Sequence, residues 1–229
     1  MFKSFYIIVV IAVSLTISSC VTTTNGRTNN VVDKDKAHDA HVSLGLTYLK
    51  QDNREGSRRH LQKALGIRSD SAPAHHGLAL LYQRTGEFKL AEQSFLRSLS
   101  EEPDFTQARV SYGRFLYQQK RYDEAYKAFE AASTDISFQN RALALTYLGQ
   151  TALKLGNDVK AKSLFEHAAN LDNKLTLPMI ELGDLYFLDK NYTQSKKYLD
   201  QYIDIEGRTP RGLWLGCLLY TSPSPRDRG

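Results

Sequence analysis

An all-α solenoid of antiparallel helix pairs is the fold that the sequence predicts, and three observations predict it. Similar short strings recur along the chain: LGLTY at 44–48, LALLY at 78–82, SYGRFL at 111–116, YLGQTA at 147–152 and LGDLY at 182–186. The same places in each recurrence hold residues of the same size, small twice and then large and apolar. Turn signals fall between the recurrences and inside them, as in TGE at 85–87, LGN at 155–157 and EEPD at 101–104.

The chain opens on MFKSFYIIVVIAVSLTISSC, which reads as an export signal. Lys3 supplies a short positive region, Phe5 to Ile17 an almost unbroken apolar stretch, and Ser18 and Ser19 lead into Cys20. The stretch is shorter than the ~20 apolar residues that a membrane-spanning helix needs. Ile17-Ser18-Ser19-Cys20 resembles a bacterial lipobox, in which small residues let a peptidase fit the extended backbone beside an acylated cysteine. The expectation is a signal peptide over 1–19 and a covalent lipid on Cys20, with no other cofactor. Several acyl chains at ~0.8 kcal/mol per buried methylene give stable anchoring. Val21, rather than Asp, stands after the cysteine, which resembles the outer-membrane class of enterobacterial lipoproteins. The run VTTTNGRTNNVVDKDK has little to bury and reads as a flexible tether, so that 20–37 holds the lipidated cysteine and its spacer.

From residue 38 onward the repeat takes over. Its first small residue falls at Gly45, Ala79, Gly113, Gly149 and Gly183, at intervals of 34, 34, 36 and 34. A second small residue stands twelve places on, at Ser57, Ala91, Ala125, Ala161 and Ser195. Four beyond it stands Leu61, Phe95, Phe129, Phe165 or Leu199, and three beyond that Ala64, Ser98, Ala132, Ala168 or Tyr202. This is the tetratricopeptide pattern, a helix–turn–helix unit. Two helices that cross closely need small side chains at the crossing and a large one to fill the gap beside it. One unit cannot bury its apolar faces alone, so neighbours must stack. The units are expected at 38–71, 72–105, 106–141, 142–175 and 176–208, five in full, with a sixth starting over 209–216.

GLWLG at 212–216 begins that sixth unit, but the residues after Gly216 do not fit it. Pro223 and Pro225 are close together, and proline inside a helix costs about 3 kcal/mol. CLLYTSPSPRD, from Cys217 to Asp227, resembles the in-frame translation of a sequencing-library transposase adapter. Residues 217–229 are therefore expected to be non-native, with Cys217 foreign and no disulfide framework. On this reading the helix does not run on through the proline-bearing stretch, and Tyr198, Leu199, Tyr202 and Ile203 lose a neighbour.

Charge and composition narrow the function. The net charge is +5 from 30 basic and 25 acidic residues, with no Lys/Arg run longer than two, so a nucleic-acid footprint is not indicated. No glycine-rich phosphate loop, Cys/His cluster or nucleophile elbow occurs, so neither an enzyme, a metal site nor a small-molecule substrate is expected. His38 and His41 lie three apart, as ligands on a helix could. Position 41 and its equivalent, 75, match a bulky packing site of the first helix, so packing is the reading there. His75 and His76 are adjacent and point to different faces, and His60 and His167 read as isolated.

What remains is a surface for another polypeptide. In tetratricopeptide arrays the first helices of successive units line a groove. Its positions here are Leu46, Leu49 and Lys50; Leu80, Gln83 and Arg84; Val110, Arg114 and Tyr117; Thr146, Gln150, Leu153 and Lys154; and Ile180, Asp184 and Phe187. Four cations, Lys50, Arg84, Arg114 and Lys154, run beside apolar residues. Such a groove suits a peptide with apolar anchors and an acidic group, while some of these residues are expected only to pack within their own unit.

Three longer strings are more specific: AEQSFLRSLSEEPDF at 91–105, YGRFLYQQKRYDEAYKAFEAA at 112–132 and RGLWLG at 211–216. With the lipobox and tether before them, they resemble, in this order, the type IV pilus biogenesis/stability lipoprotein, the tetratricopeptide pilotin of Gram-negative bacteria. The resemblance covers about residues 1–216. Members of that family carry six units, so this chain departs from it in the sixth. The resemblance implies a lipid-anchored, periplasm-facing protein of the outer membrane. Its implied partner is the pilus secretin, whose subunits it escorts and helps to assemble into rings. Two other readings stay open. One is a different outer-membrane repeat lipoprotein, serving envelope assembly or a protease. The other is a cell-wall enzyme whose catalytic domain would lie beyond Gly216.

Overall fold

The computed structural model describes residues 33–221. The export signal, Cys20, most of the tether, Pro223 and Pro225 lie outside the described residues. Among the described residues there are eleven α-helices and no strand. They form five pairs: α1 (Lys34–Lys50) with α2 (Arg54–Ile67), α3 (Ala72–Thr85) with α4 (Phe88–Glu101), α5 (Thr106–Gln118) with α6 (Tyr122–Ser133), α7 (Arg141–Lys154) with α8 (Asp158–Leu171), and α9 (Thr176–Leu188) with α10 (Tyr192–Glu206). A last helix, α11 (Pro210–Thr221), ends the series. From Asp35 onward the helix pairs belong to one compact body. No helix among the described residues is long and apolar enough to cross a membrane.

One turn geometry is repeated inside all five pairs. The chain leaves the first helix through a residue in the left-handed region: Asp52 (φ 57°), Gly86 (82°), Lys120 (61°), Gly156 (76°) and Lys190 (59°). The next amide then reaches back five residues, as in Asn53 to the Tyr48 carbonyl at 2.9 Å and Arg121 to the Leu116 carbonyl at 3.0 Å. This is the Schellman closure, which satisfies carbonyls left over at a helix end. Second helices then start on a side-chain cap where the chain offers one. Asn53, Asn157 and Asn191 accept from the amide three residues on, at 2.9, 3.0 and 3.2 Å.

Small residues are needed at the crossings for a steric reason. A Cβ on Gly113 would lie 2.8 Å from the Phe129 ring, and one on Gly149 would lie 2.7 Å from Phe165. In the first unit Leu61 takes the place of that phenylalanine, and Gly45 and Gly77 both close on it, each at 2.6 Å from an added Cβ. In the fifth unit the side chain against Gly183 comes from the next unit, Leu215 of α11. Polar residues at repeat positions are bonded to the facing backbone. Ser195 donates to the Gly183 carbonyl at 2.7 Å and Ser98 to the Ala72 carbonyl at 2.8 Å. Ser57, the equivalent of Ser195, has a buried hydroxyl with no protein partner.

The core is one cluster from Ala79 to Leu185, with Phe95, Phe115, Phe129 and Phe165 fully buried in it. Smaller clusters continue it at both ends: Leu49, Leu61, Leu78 and Leu81 on one side, and Met179, Ile180, Leu199, Tyr202 and Leu215 on the other.

That last cluster corrects one expectation. α11 is described past Gly216, through CLLYT to Thr221, ahead of the two prolines. The four named side chains of α10 nonetheless keep packing partners. Leu199 and Tyr202 are buried against Leu215, with Ile203 and Leu219 packed at the margin. Tyr198 stacks on Tyr186 with ring centroids 5.7 Å apart.

Candidate functional site

First helices of consecutive units lie beside one another, α3 with α5, α5 with α7 and α9 with α11. Side chains one, four and five places after the small crossing residue therefore form rows along this face. The row at five reads Lys50, Arg84, Gln118, Lys154, Leu188.

At the end nearer the amino terminus these rows close a hollow of about 440 Å³. Leu49 and Lys50 line it from α1, Leu80, Gln83 and Arg84 from α3, and Arg114 and Gln118 from α5. Six of these seven are residues expected from the sequence. Gln118 is not among the expected positions, which in the third unit are Val110, Arg114 and Tyr117, although the repeat register itself marks it. It matters, since Gln83 donates to the Gln118 side-chain oxygen at 2.6 Å and ties α3 to α5.

The cations are not equivalent. Arg84 donates to the Leu49 carbonyl at the end of α1 and stands 3.7 Å from Asp52. It therefore helps hold the first two units together. Arg114 lies over the Tyr147 ring, 5.4 Å from its centroid. Neither Lys50 nor Arg114 has a carboxylate partner among the described residues, and the same holds for Lys154.

Other expected groove residues are placed differently. Val110 and Ile180 are 3% and 2% exposed and belong to the packed interior. Thr146 is buried too, its hydroxyl bonded to the Ala142 carbonyl at 2.7 Å. The position three places before the crossing residue faces the neighbouring helix, so these three form core and not groove. Leu46 is half-buried against Val42, Ala64 and Ala74. Tyr117, Leu153 and Phe187 are half-buried, with Tyr117 edge-on to Tyr122 at 5.3 Å and Phe187 tilted against Tyr192 at 5.5 Å. Gln150 is half-buried on α7. Asp184 is taken up by Arg211, which bonds it at 2.6 Å and Glu181 at 2.9 Å. Burial, then the nearby Tyr122 and Glu181, raises the Tyr117 phenol above its ordinary pKa.

The histidines are arranged otherwise than the spacing suggested. The buried ones are His38 and His76, not the residues at 41 and 75 that match the bulky packing site. His38 bonds Ser71 at 2.7 Å on one nitrogen and meets Asp39 and Arg68 on the other. His76 donates to Ser111 at 2.9 Å, since that hydroxyl is itself given to the Gln107 carbonyl. His75 is bonded to the Ser69 carbonyl at 3.0 Å. His60 is not isolated: its Nδ1 lies 3.0 Å from that of His41, and its ring stacks on Tyr48. Burial, with His41, Arg59 and Lys63 around it, lowers its pKa. Among the described residues no group of three or more His, Cys, Asp or Glu is arranged to hold a metal. Cys217 is exposed and free.

Comparison with known proteins agrees with this architecture. Tetratricopeptide-repeat family models match residues 38–71 and 76–140. The crystal structure of PilW, a type IV pilus biogenesis factor, shares the fold with a TM-score of 0.70 at 21% identity, over 80% of this chain and 84% of that one. YrrB, a tetratricopeptide protein with an unusual peptide-binding site, shares it at 0.62 and 19%, over 81% and 98%. The solved structure of Pseudomonas aeruginosa PilF superposes with a TM-score of 0.80 at 34% identity, over 85% of this chain and 87% of that one. In sequence, the type IV pilus assembly protein PilF of Pseudomonas aeruginosa is 34% identical over 224 residues, spanning 96% of this chain and 87% of the relative. With fold and sequence in correspondence over more than four fifths of both proteins, this chain belongs to the family of the type IV pilus assembly protein PilF, a family of tetratricopeptide-repeat proteins.

Proposed function

We propose that this protein is a pilotin of a type IV pilus system. It is held by a lipid on Cys20 to the periplasmic face of the outer membrane, binds secretin subunits, and promotes their localisation and multimerisation there. The observation that carries the reading is the end-to-end correspondence with a type IV pilus assembly protein. Two features support it. The hollow between α1, α3 and α5 offers cations and leucines to another chain, as repeat arrays do for extended or helical segments. The small residues before Cys20 and the polar run after it suit lipidation and a tether.

The test is genetic. Deleting the gene is expected to abolish twitching and to remove heat-stable secretin multimers from the outer membrane while monomers persist. Normal multimers in the deletion strain would end the pilotin reading. Replacing Cys20 with Ala is expected to move the protein out of the outer-membrane fraction.

A further inference from the structure

We propose that the hollow between α1, α3 and α5 captures a carboxylate of the docked polypeptide, so that the acidic end of the bound segment lies over the first three units. This rests on the reading that the partner is a polypeptide, and it adds the chemistry and the direction of that partner.

Charge complementarity carries the argument. Three cations, Lys50, Arg84 and Arg114, line the hollow, and no Asp or Glu does. Arg84 is partly matched by the Leu49 carbonyl and by Asp52 outside the lining. Lys50 and Arg114 have no carboxylate partner among the described residues, so an incoming anion meets two uncompensated cations there. The Gln83–Gln118 pair adds directional donors. With Gln83 donating to the Gln118 oxygen, the Gln118 amide hydrogens remain free to donate. Leu49 and Leu80 form the apolar part of the lining, which suits a partner residue of aliphatic character beside the acid.

The far end of the same face has the opposite character. Glu181 and Asp184 share the single guanidinium of Arg211, an excess of one negative charge. The fifth-place row ends there on Leu188, exposed, where the first, second and fourth units have Lys50, Arg84 and Lys154 and the third has Gln118. An acidic group is attracted at one end and repelled at the other, which gives a docked segment one favoured direction.

The experiment uses the full-length lipidated protein in detergent and an overlapping peptide array of the pilus secretin from the same organism. Bound peptides are expected to carry Asp or Glu beside a leucine-like residue. Changing that acid to its amide should weaken binding about three- to tenfold, and so should Lys50→Gln or Arg114→Gln in the protein. Lys50 is exposed and has no carboxylate partner, so its variant keeps the test valid if Arg114→Gln disturbs the packing on Tyr147. Affinity should fall as salt rises from about 0.05 to about 0.5 M. A photo-reactive group at the acidic end of the peptide should crosslink to α1, α3 or α5. Crosslinks to α9 or α11 would overturn the direction. Bound peptides without a carboxylate, variants without effect, a silent array, or capture of anionic vesicles that Lys50→Gln abolishes while peptides fail to compete would overturn the capture. A silent array alongside lost multimers in the deletion strain would sink this inference and leave the pilotin reading standing.

Discussion

At position 76 the chain buries a histidine whose only polar partner among the described residues is the Ser111 hydroxyl, with Phe95 and Phe105 against its ring. Burial lowers its pKa from 6.5 to about 4. The unfolded chain therefore binds a proton between pH 6.5 and about 4 that the folded chain does not. The stability at this site is complete above pH 6.5, and each unit below it removes about 1.4 kcal/mol until the folded pKa is reached. Urea unfolding at pH 7.5 and pH 5 should show the wild type losing about 2 kcal/mol more than His76→Gln, which keeps a donor for Ser111 and cannot be protonated. Equal losses would contradict the assignment. The register of the sequence marks position 75 as the bulky packing site, yet it is His76 that turns inward. That depends on where α5 presents Ser111. Ser57 and Ser195 teach the same lesson: they share one repeat position, yet only Ser195 has a carbonyl within reach.

Among the elements, the five turns inside the pairs share one backbone path. Only two were legible as turns, because only Gly86 and Gly156 carry the residue that favours left-handed φ. Asp52, Lys120 and Lys190 adopt it against their preference, because the helices on either side leave no other closure. Left-handed φ costs roughly 1–2 kcal/mol for a residue with a Cβ, part of which glycine returns as entropy in the unfolded chain. Lys120→Gly and Lys190→Gly are each expected to stabilise the protein by about 0.5 kcal/mol in urea unfolding. Lower stability in both would mean that these turns are not left-handed in solution. α11 shows the limit of reading an element from composition. The repeat pattern ends at Gly216, yet the helix is described for five further residues, because apolar residues such as Leu219 still pack on the preceding pair.

Across the whole repeat array, stability should track the division of the core. Units two to five share one cluster, whereas smaller separate ones join the first unit to the second, through Leu49, Leu61, Leu78 and Leu81, and the fifth to α11, where Leu215 meets Met179, Ile180, Leu199 and Tyr202. In a linear array each unit is supported only by its neighbours, so opening starts at the ends. Native-state hydrogen exchange is expected to find the strongest protection in α4 to α8 and the weakest in α1, α2 and α11. Uniform protection would show a single cooperative block instead. The groove belongs to this scale as well. Its amino-terminal hollow lies between a weakly supported end and the strong centre, so binding there should raise protection in α1 and α3.

The amino-acid sequence by itself determined the repeat, the helix pairs, the residues at their crossings and most of the lining of the cationic hollow. It could do so because a 34-residue period imposes the same steric demand at each return, and size patterns record that demand. The tertiary structure alone decided which groove positions are free. Val110, Thr146 and Ile180 sit in the right register but face a neighbouring helix, while Lys50 and Arg114 face open space. It also decided that Arg84 braces two units, that Gln118 joins the site, and that His41 meets His60. These outcomes depend on the angle and offset between stacked units, which arise from packing between residues far apart in the chain and leave no periodic trace within it.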